Sequence, residues 1–137
     1  MVDLTDTINV NGVYCLNEKT QDSAKKIFKS RERMLDRNDC LESNEGDPEL
    51  LLYIPFNSAV KMKSITMIGG EDGTSPAIVK LFVNVENPDF DLIEGATSTQ
   101  VILRHEFRIW NVERILRENY LIVYDRINST TSTRLLL

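Results

Sequence analysis

The chain has 137 residues, of which 42% are hydrophobic, so it matches the usual size of one domain with its own core. Its formal net charge is -5, from 16 basic and 21 acidic residues, which leaves no excess positive charge for binding a nucleic-acid backbone. No apolar run approaches the roughly 20 residues that span a bilayer, and the N-terminus lacks the basic start and apolar stretch of a signal peptide. We therefore expect a soluble, intracellular single domain that binds neither nucleic acid nor membrane.

The first part of the chain predicts little regular structure. Residues 3–18 contain short apolar pieces separated by Asn and Gly, which are turn formers, so we expect irregular chain with one short strand or turn. Residues 21–36 are highly charged. Ala24, Ile27 and Phe28 share a helical face there, but the following residues are polar and break the period, which predicts a short helix or a loop.

From residue 50 onward the sequence predicts strands joined by turns rather than by helices. The predicted strands are LLLYIPF at 50–56, AVKMKSITMI at 59–68, AIVKLFVNV at 77–85, QVILRHEF at 100–107 and YLIVY at 120–124. Pro55 cannot donate to a strand ladder, so we expect the pairing to end or bulge there. Residues 86–99 are interpreted as a polar loop, and residues 112–119 are left open between helix and strand. This pattern indicates an antiparallel all-β sandwich or jelly roll.

An acidic stretch precedes the first of these strands. Its carboxylates are Glu42, Glu45, Asp47 and Glu49, and Gly46 would let the backbone curl around a calcium ion. The spacing does not match an EF-hand loop, and a hydrated turn needs no ligand. We therefore expect these carboxylates to lie in solvent, and we consider docking a more plausible role for them than chemistry.

Other residues are candidates for catalysis, but each of them also has a simpler structural interpretation. His105 is the single histidine and would need a nucleophile or carboxylate beside it in a cleft. Asp89 and Asp91 form a sequence pair of a kind that is common outside glycosidases. Glu71, Asp72 and Gly73 form a second acidic turn without the lysine of a phosphate-binding loop. We nominate no catalytic, cofactor-binding or metal-binding residue and expect no enzyme activity.

Two surface features could instead serve a partner. Trp110, Tyr120 and Tyr124 could form an aromatic surface, although core or corner positions explain them more simply. A basic stretch would suit an acidic protein partner, although a solvated charged face explains it equally well. Its residues are Lys25, Lys26, Lys29, Arg31 and Arg33.

The cysteines and a glycosylation sequon carry little functional information. Cys15 and Cys40 are too few for a disulfide framework, and with one histidine they do not suggest a zinc site. We expect both to be reduced, small hydrophobic residues. Asn128-Ser129-Thr130 would be glycosylated only in a secreted protein, so we interpret it as a polar turn.

Three segments together resemble the PITH domain family, the proteasome-interacting thioredoxin domain, in the family order. They are DLTDTINVNGVYCLNE at 3–18, CLESNEGDPELLLYIPFNSAVKMKSITMIGGED at 40–72 and VKLFVNVENPDFD at 79–91. The resemblance is strongest to stand-alone PITH proteins, because the chain has no CxxC redox motif. It implies a jelly-roll β-sandwich of galactose-binding-like type, without cofactor, in the cytoplasm and with the nucleus as a second compartment to consider. The implied role is docking on the proteasome regulatory particle.

The C-terminal part departs from the family pattern. We expect residues 1–137 to form one PITH domain in which 104–137 is divergent or truncated, with TSTRLLL as a shortened closing strand. A missing closing strand would expose a sheet edge. The alternative function, suggested by structural relatives of the family, is a module that binds a carbohydrate or other small polar ligand through its end loops. The sequence leaves the oligomeric state and the docking surface open.

Overall fold

A computed structural model of the chain describes residues 5–28, 40–47, 49–68, 76–83, 86–96, 100–103, 109–127 and 134–136. The strands in these stretches are β1 Tyr14–Leu16, β2 Glu49–Ile68, β3 Pro76–Phe82, β4 Gln100–Leu103, β5 Ile109–Ile127 and β6 Arg134–Leu136. An α-helix, α1 Phe90–Gly95, lies between β3 and β4. Short 3-10 helices occupy Thr5–Thr7, Val10–Gly12 and Ser23–Lys26. Within these residues, no helix has both the length and the apolar character needed to cross a bilayer.

The strands form one hydrogen-bonded sheet in the order β1-β2-β5-β3-β4, and β6 pairs with the far end of β2. All of these pairings are antiparallel. The predicted all-β, antiparallel class is therefore confirmed. The open stretch 112–119 belongs to strand β5, since its backbone continues a pairing with β2 that extends on both sides of it.

Strands β2 and β5 form the long central pair of the sheet. Their register shifts between Pro55 and Val60, so the predicted irregularity at Pro55 is confirmed. The intervening Asn57, Ser58 and Ala59 are exposed. A shift of this kind bends and twists a long strand, so that one strand can curve around a core.

Both faces of the sheet are covered, and alternate residues of β2 serve opposite faces. On the first face, Leu50, Leu52 and Ile54 pack with residues from β1, β3 and the N-terminal turns. On the second face, Leu51 packs with Phe82, Ile93 and Ile122. All four of these second-face residues are almost completely buried. Burying one such side chain contributes about 1.5–3 kcal/mol, so both faces stabilise the fold.

The charged stretch after β1 contributes a short 3-10 helix to the first face. Ala24 and Ile27 are buried in the first-face cluster, and Phe28 packs against it. The Glu18 carboxylate accepts hydrogen bonds from the backbone N–H groups of Asp22 and Ala24, at 2.9 and 3.2 Å. The predicted short helix or loop is thus confirmed as a single 3-10 turn in the described part of 21–36.

The prediction of a polar loop over 86–99 is wrong, because helix α1 forms there. Asp89 has an extended backbone, and its Oδ1 accepts a hydrogen bond of 2.7 Å from the Leu92 N–H. This bond satisfies one of the donors that a helix N-terminus leaves unpaired. Ile93 then anchors the helix in the second-face cluster. An N-capping aspartate and one apolar anchor outweigh the loop-like composition.

Candidate functional site

Three tyrosines from three neighbouring strands stack on the second face of the sheet. The ring centroids of Tyr14 and Tyr53 are 4.9 Å apart with 20° between the ring planes. Those of Tyr53 and Tyr120 are 5.7 Å apart with 29° between the planes. We call Tyr14, Tyr53 and Tyr120 the tyrosine ladder. Because both neighbours stack on Tyr53, it is the central ring of the ladder, and Tyr14 is a terminal ring.

Strand register produces this arrangement. Tyr14 of β1 lies directly opposite Tyr53 of β2, and Pro55, two residues further along β2, lies opposite Tyr120 of β5. Tyr120 is therefore a diagonal neighbour of Tyr53 on the same face. Directly opposite and diagonal positions are those at which aromatic side chains on adjacent strands make contact.

The turn before β1, which contains Asn9 and Gly12, packs closely against Pro55 of β2. Pro55 O accepts a hydrogen bond of 2.9 Å from the Asn9 N–H. A Cβ on Gly12 would lie 2.9 Å from Pro55 Cγ, so only glycine allows this approach without a shift. The turn that leads into Tyr14 is thereby fixed relative to Tyr53.

Tyr14 is the most accessible ring of the ladder. Its side chain is 38% exposed, whereas Tyr53 and Tyr120 are half-buried against the second-face cluster. Partial burial, and to a lesser extent the neighbouring Tyr53 phenol, raise the pKa of the Tyr14 hydroxyl above its ordinary value. The exposed end of the ladder at Tyr14 is therefore a neutral aromatic ring at physiological pH.

Helix α1 belongs to the same side of the sheet. Ile93 is buried among Leu51, Phe82 and Ile122, and Phe90 packs against this cluster as do Tyr53 and Tyr120. The remaining side of the helix is exposed, and Leu92 on it is 51% exposed. The second face thus carries an exposed aromatic edge and a helix with an acidic outer side.

The acidic loop, residues 40–47, is held against the end of β1 by Asn17 and by backbone pairing of Glu18 with Ser43 and of Lys19 with Glu42. Asn17 adopts a left-handed conformation with φ of 70°, and its Nδ2 donates to the carbonyl oxygens of Asp47 and Glu49 at 3.0 and 2.7 Å. Asn44 donates from its side chain to Asn17 Oδ1 at 2.8 Å and from its backbone to Asn17 O at 3.1 Å. These bonds define the position of the loop relative to the sheet.

The prediction that the loop carboxylates lie in solvent is confirmed for Glu45 and Asp47, which are exposed. Glu42 also meets solvent, because its side chain is 42% exposed, whereas Glu49 is half-buried at the start of β2. Glu42 lies 3.7 Å from the Lys19 ammonium in an ion pair that is exposed on both sides, so it contributes little stability. Within the described stretches, no three His, Cys, Asp or Glu side chains are grouped closely enough to hold a metal ion.

Several predicted residues have other positions or functions. Asp89 caps α1 and Asp91 is exposed on its first turn, so the structure gives the pair a structural explanation. Lys25 pairs with Asp22 at 3.6 Å, and Lys26 is exposed. The other predicted residues, His105, Glu71, Asp72, Gly73, Lys29, Arg31 and Arg33, lie outside the described residues.

The predicted aromatic surface has a different composition from the one observed. Trp110 pairs with Met67, ten residues from Tyr120 along β5, which at about 3.3 Å per residue is roughly 33 Å of strand. Tyr120 instead contacts Tyr53, which lies in the predicted strand LLLYIPF and was not among the predicted surface aromatics. Side chains alternate along a strand, so the sequence already places Tyr53 and Leu52 on opposite faces. The residues that Tyr53 contacts on other strands depend on long-range register.

The two cysteines differ in environment. Cys15 is buried in the first-face cluster, and Cys40 is half-buried; neither is in a disulfide. The expectation of a small core residue is therefore confirmed for Cys15. Cys40 lies at the start of the acidic loop and is more accessible.

Comparison with known proteins gives both a family and a fold. A family model for the PITH domain matches residues 1–129. "PITH domain-containing protein 1" of Dictyostelium discoideum is 39% identical over 99 residues, covering 72% of this chain and 48% of the relative. The protein of the same name from Homo sapiens is 37% identical over 84 residues, covering 61% of this chain and 39% of the relative. The chain thus spans less than half the length of these curated relatives.

Solved structures with a similar fold are carbohydrate-binding modules of very different sequence. Chitosan-binding module 1 of a chitosanase/glucanase from Paenibacillus sp. IK-5 superimposes with a TM-score of 0.69 at 9% identity, covering 99% of this chain and 98% of the module. The family 32 module of Clostridium perfringens NanJ, solved with galactose, gives 0.59 at 13% identity, covering 95% and 96%. At these identities the likeness shows the fold alone, which confirms the predicted galactose-binding-like β-sandwich. The family, in contrast, is shown by the family model that matches residues 1–129: the chain belongs to the PITH domain family.

Proposed function

We propose that this chain is a non-catalytic protein-interaction domain that docks on the proteasome regulatory particle. Membership of the PITH family carries the proposal, because association with the regulatory particle is the role that the resemblance implies. The proposed setting is the cytoplasm, with the nucleus as a second compartment. The curated relatives are named for this domain and carry no catalytic name, which supports an interaction role.

The described polar groups are consistent with a binding domain. Asp89 caps a helix and Asn17 ties a loop to the sheet, so each has a structural function. Among the described residues, the tyrosine ladder is accessible at Tyr14, and tyrosine is enriched at the energetically dominant positions of protein interfaces. Large rings with few rotatable bonds provide contact area at low entropic cost.

The test is capture of purified proteasome by the immobilised chain. We expect the 26S proteasome to be retained and the isolated 20S core particle to pass through, because the proposed site is on the regulatory particle. The Paenibacillus chitosan-binding module is the matched control, since it has the same fold at 9% identity. Equal retention by both modules, or no retention of 26S proteasome by the folded chain, would refute the proposal.

A second candidate function is binding of a carbohydrate or small polar ligand. The fold shared with carbohydrate-binding modules and the exposed Tyr14 ring favour it, since an aromatic face can pack against a sugar ring. The measurement is a titration of the chain with galactose and, separately, with chitotriose, in which two-dimensional NMR spectra of the chain are recorded at each sugar concentration. Saturable chemical-shift changes at Tyr14 or at the end loops would support this function, and unchanged spectra at millimolar sugar would refute it.

A further inference from the structure

The tyrosine ladder ends in an aromatic face that another planar group could extend. Tyr53 has a ring stacked on each side, whereas Tyr14 has one stacked ring and is 38% exposed. In the described part of the chain, β1 is the terminal strand of the sheet, so Tyr14 is also the last ring in the direction of the strand order. A group placed about 4–6 Å beyond Tyr14 would continue the stack at the spacing that already exists within it.

The chain is acidic overall, with 21 acidic and 16 basic residues, and exposed carboxylates lie on elements next to the ladder. Among the residues whose side chains are described, eight acidic residues are exposed, as are the basic residues Lys19 and Lys26; most of the lysines and arginines lie outside that set. Lys19 is already paired with Glu42. Asp91 and Glu94 are exposed on α1, which shares the second-face cluster with Tyr53 and Tyr120, and Asp6 is exposed on the turns that precede β1. This excess of carboxylates favours a cationic partner.

The basic side chain described on this face does not offset the charge at the ladder. Lys80 lies opposite Tyr124 of β5. Tyr14 and Tyr53 lie in the cross-strand row that contains Ile122, which is two residues away from Tyr124 along β5. Lys80 is also two strands away from Tyr53 in the sheet order. The exposed end of the ladder is therefore aromatic, with carboxylates on the neighbouring elements.

We propose that the tyrosine ladder is a docking surface for an arginine-bearing protein segment, with one guanidinium stacked on the outer face of Tyr14. Arginine fits both features, because its planar guanidinium stacks on an aromatic ring and carries a charge complementary to the surrounding carboxylates. Lysine offers the charge without the planar stack. This inference rests on the proposed docking function and names its surface and the chemistry of its partner.

The direct test uses three fluorescein-labelled peptides of equal length that differ only in having arginine, lysine or glutamine at the same positions among glycine, serine and leucine. Fluorescence anisotropy with the full chain should give the order arginine, lysine, glutamine from tightest to weakest. The affinity for the arginine peptide should fall as salt is raised. If the glutamine peptide binds as tightly as the arginine peptide, the proposal is overturned.

Variants of Tyr14 locate the site. Tyr14→Phe keeps the ring and should bind within about twofold of the original chain, whereas Tyr14→Leu keeps apolar volume without the ring and should bind roughly two- to thirtyfold more weakly. Leu92→Ala is the matched control, because Leu92 is a more exposed apolar residue outside the ladder. Equal losses for Leu92→Ala and Tyr14→Leu would indicate general apolar adhesion and overturn the proposal. Circular dichroism checks that each variant is folded.

Repeating the proteasome capture with these variants separates this inference from the proposed function. If the original chain and Tyr14→Phe retain 26S proteasome and Tyr14→Leu does not, both the proteasome role and the ladder as its docking surface are supported. If Tyr14→Leu retains it equally, the ladder is not the docking surface while the proteasome role stands. If the original chain retains no proteasome but binds the arginine peptide through Tyr14, the surface stands and its partner is elsewhere.

Discussion

Asn17 shows how one residue connects the acidic loop to the sheet. Its left-handed backbone turns the chain at the end of β1, and its side-chain amide donates to two carbonyl groups that precede and begin β2. Asparagine tolerates this backbone conformation better than most residues. The acidic loop is therefore defined by an amide and its backbone partners, while Glu45 and Asp47 remain exposed.

Two substitutions at Asn17 separate the hydrogen bonds from the backbone conformation. Asn17→Gly tolerates a positive φ but loses the three side-chain hydrogen bonds, to Asp47 O, to Glu49 O and from Asn44, so we expect the free energy of unfolding to fall by about 1–3 kcal/mol. Asn17→Ala loses the same bonds and also disfavours the left-handed backbone, so it should be about 1 kcal/mol less stable than the glycine variant. Urea unfolding of the three proteins provides the values. Equal stability of all three would contradict this role for Asn17.

At the scale of elements, the strands were more predictable than the short helix. The continuous apolar run at residues 50–56, and the run at 77–82 that only Lys80 interrupts, identify strands because a buried strand needs no other local signal. Helix α1 has only six residues, too short for a periodic pattern to emerge. It depends on the cap at Asp89 and on the burial of Ile93, and the second of these depends on the tertiary fold.

The tyrosine ladder was unpredictable for a similar reason. Tyr14, Tyr53 and Tyr120 come from parts of the chain that are far apart in sequence, and they meet only because β1, β2 and β5 adopt one particular register. A shift of one residue would move Tyr53 to the opposite face. Sequence alone identified Tyr120 as a candidate but grouped it with Trp110, which lies ten residues away on the same strand.

The cap of α1 is testable because Asp and Asn are equivalent caps. Asp89→Ala removes the 2.7 Å bond to the Leu92 N–H, and we expect it to lower the free energy of unfolding by about 1 kcal/mol. Asp89→Asn retains an acceptor and should be close to the original protein. Thermal and urea unfolding measure the difference. A loss as large for Asp89→Asn as for Asp89→Ala would mean that charge, rather than capping, accounts for the effect of Asp89.

At the scale of the whole molecule, β2 joins two clusters that lie on opposite faces of the sheet. Leu50, Leu52 and Ile54 belong to the first-face cluster, while Leu51 belongs to the second-face cluster. Neither face can lose its packing without affecting the same strand. We therefore expect the two clusters to unfold together, as a single domain requires.

Conservative substitutions on opposite faces test this coupling. Ile27 is fully buried in the first-face cluster and Ile93 is 3% exposed in the second-face cluster, so Ile27→Val and Ile93→Val should each lower the free energy of unfolding by about 0.5–1.5 kcal/mol. Because the two side chains belong to separate clusters, the double variant should show the sum of the two losses to within about 0.5 kcal/mol. Tyrosine fluorescence and far-ultraviolet circular dichroism should report the same single transition in every variant, since both faces share β2. Two separated transitions, with Ile27→Val moving only one of them, would instead show that the faces unfold independently and that the chain is not one cooperative domain.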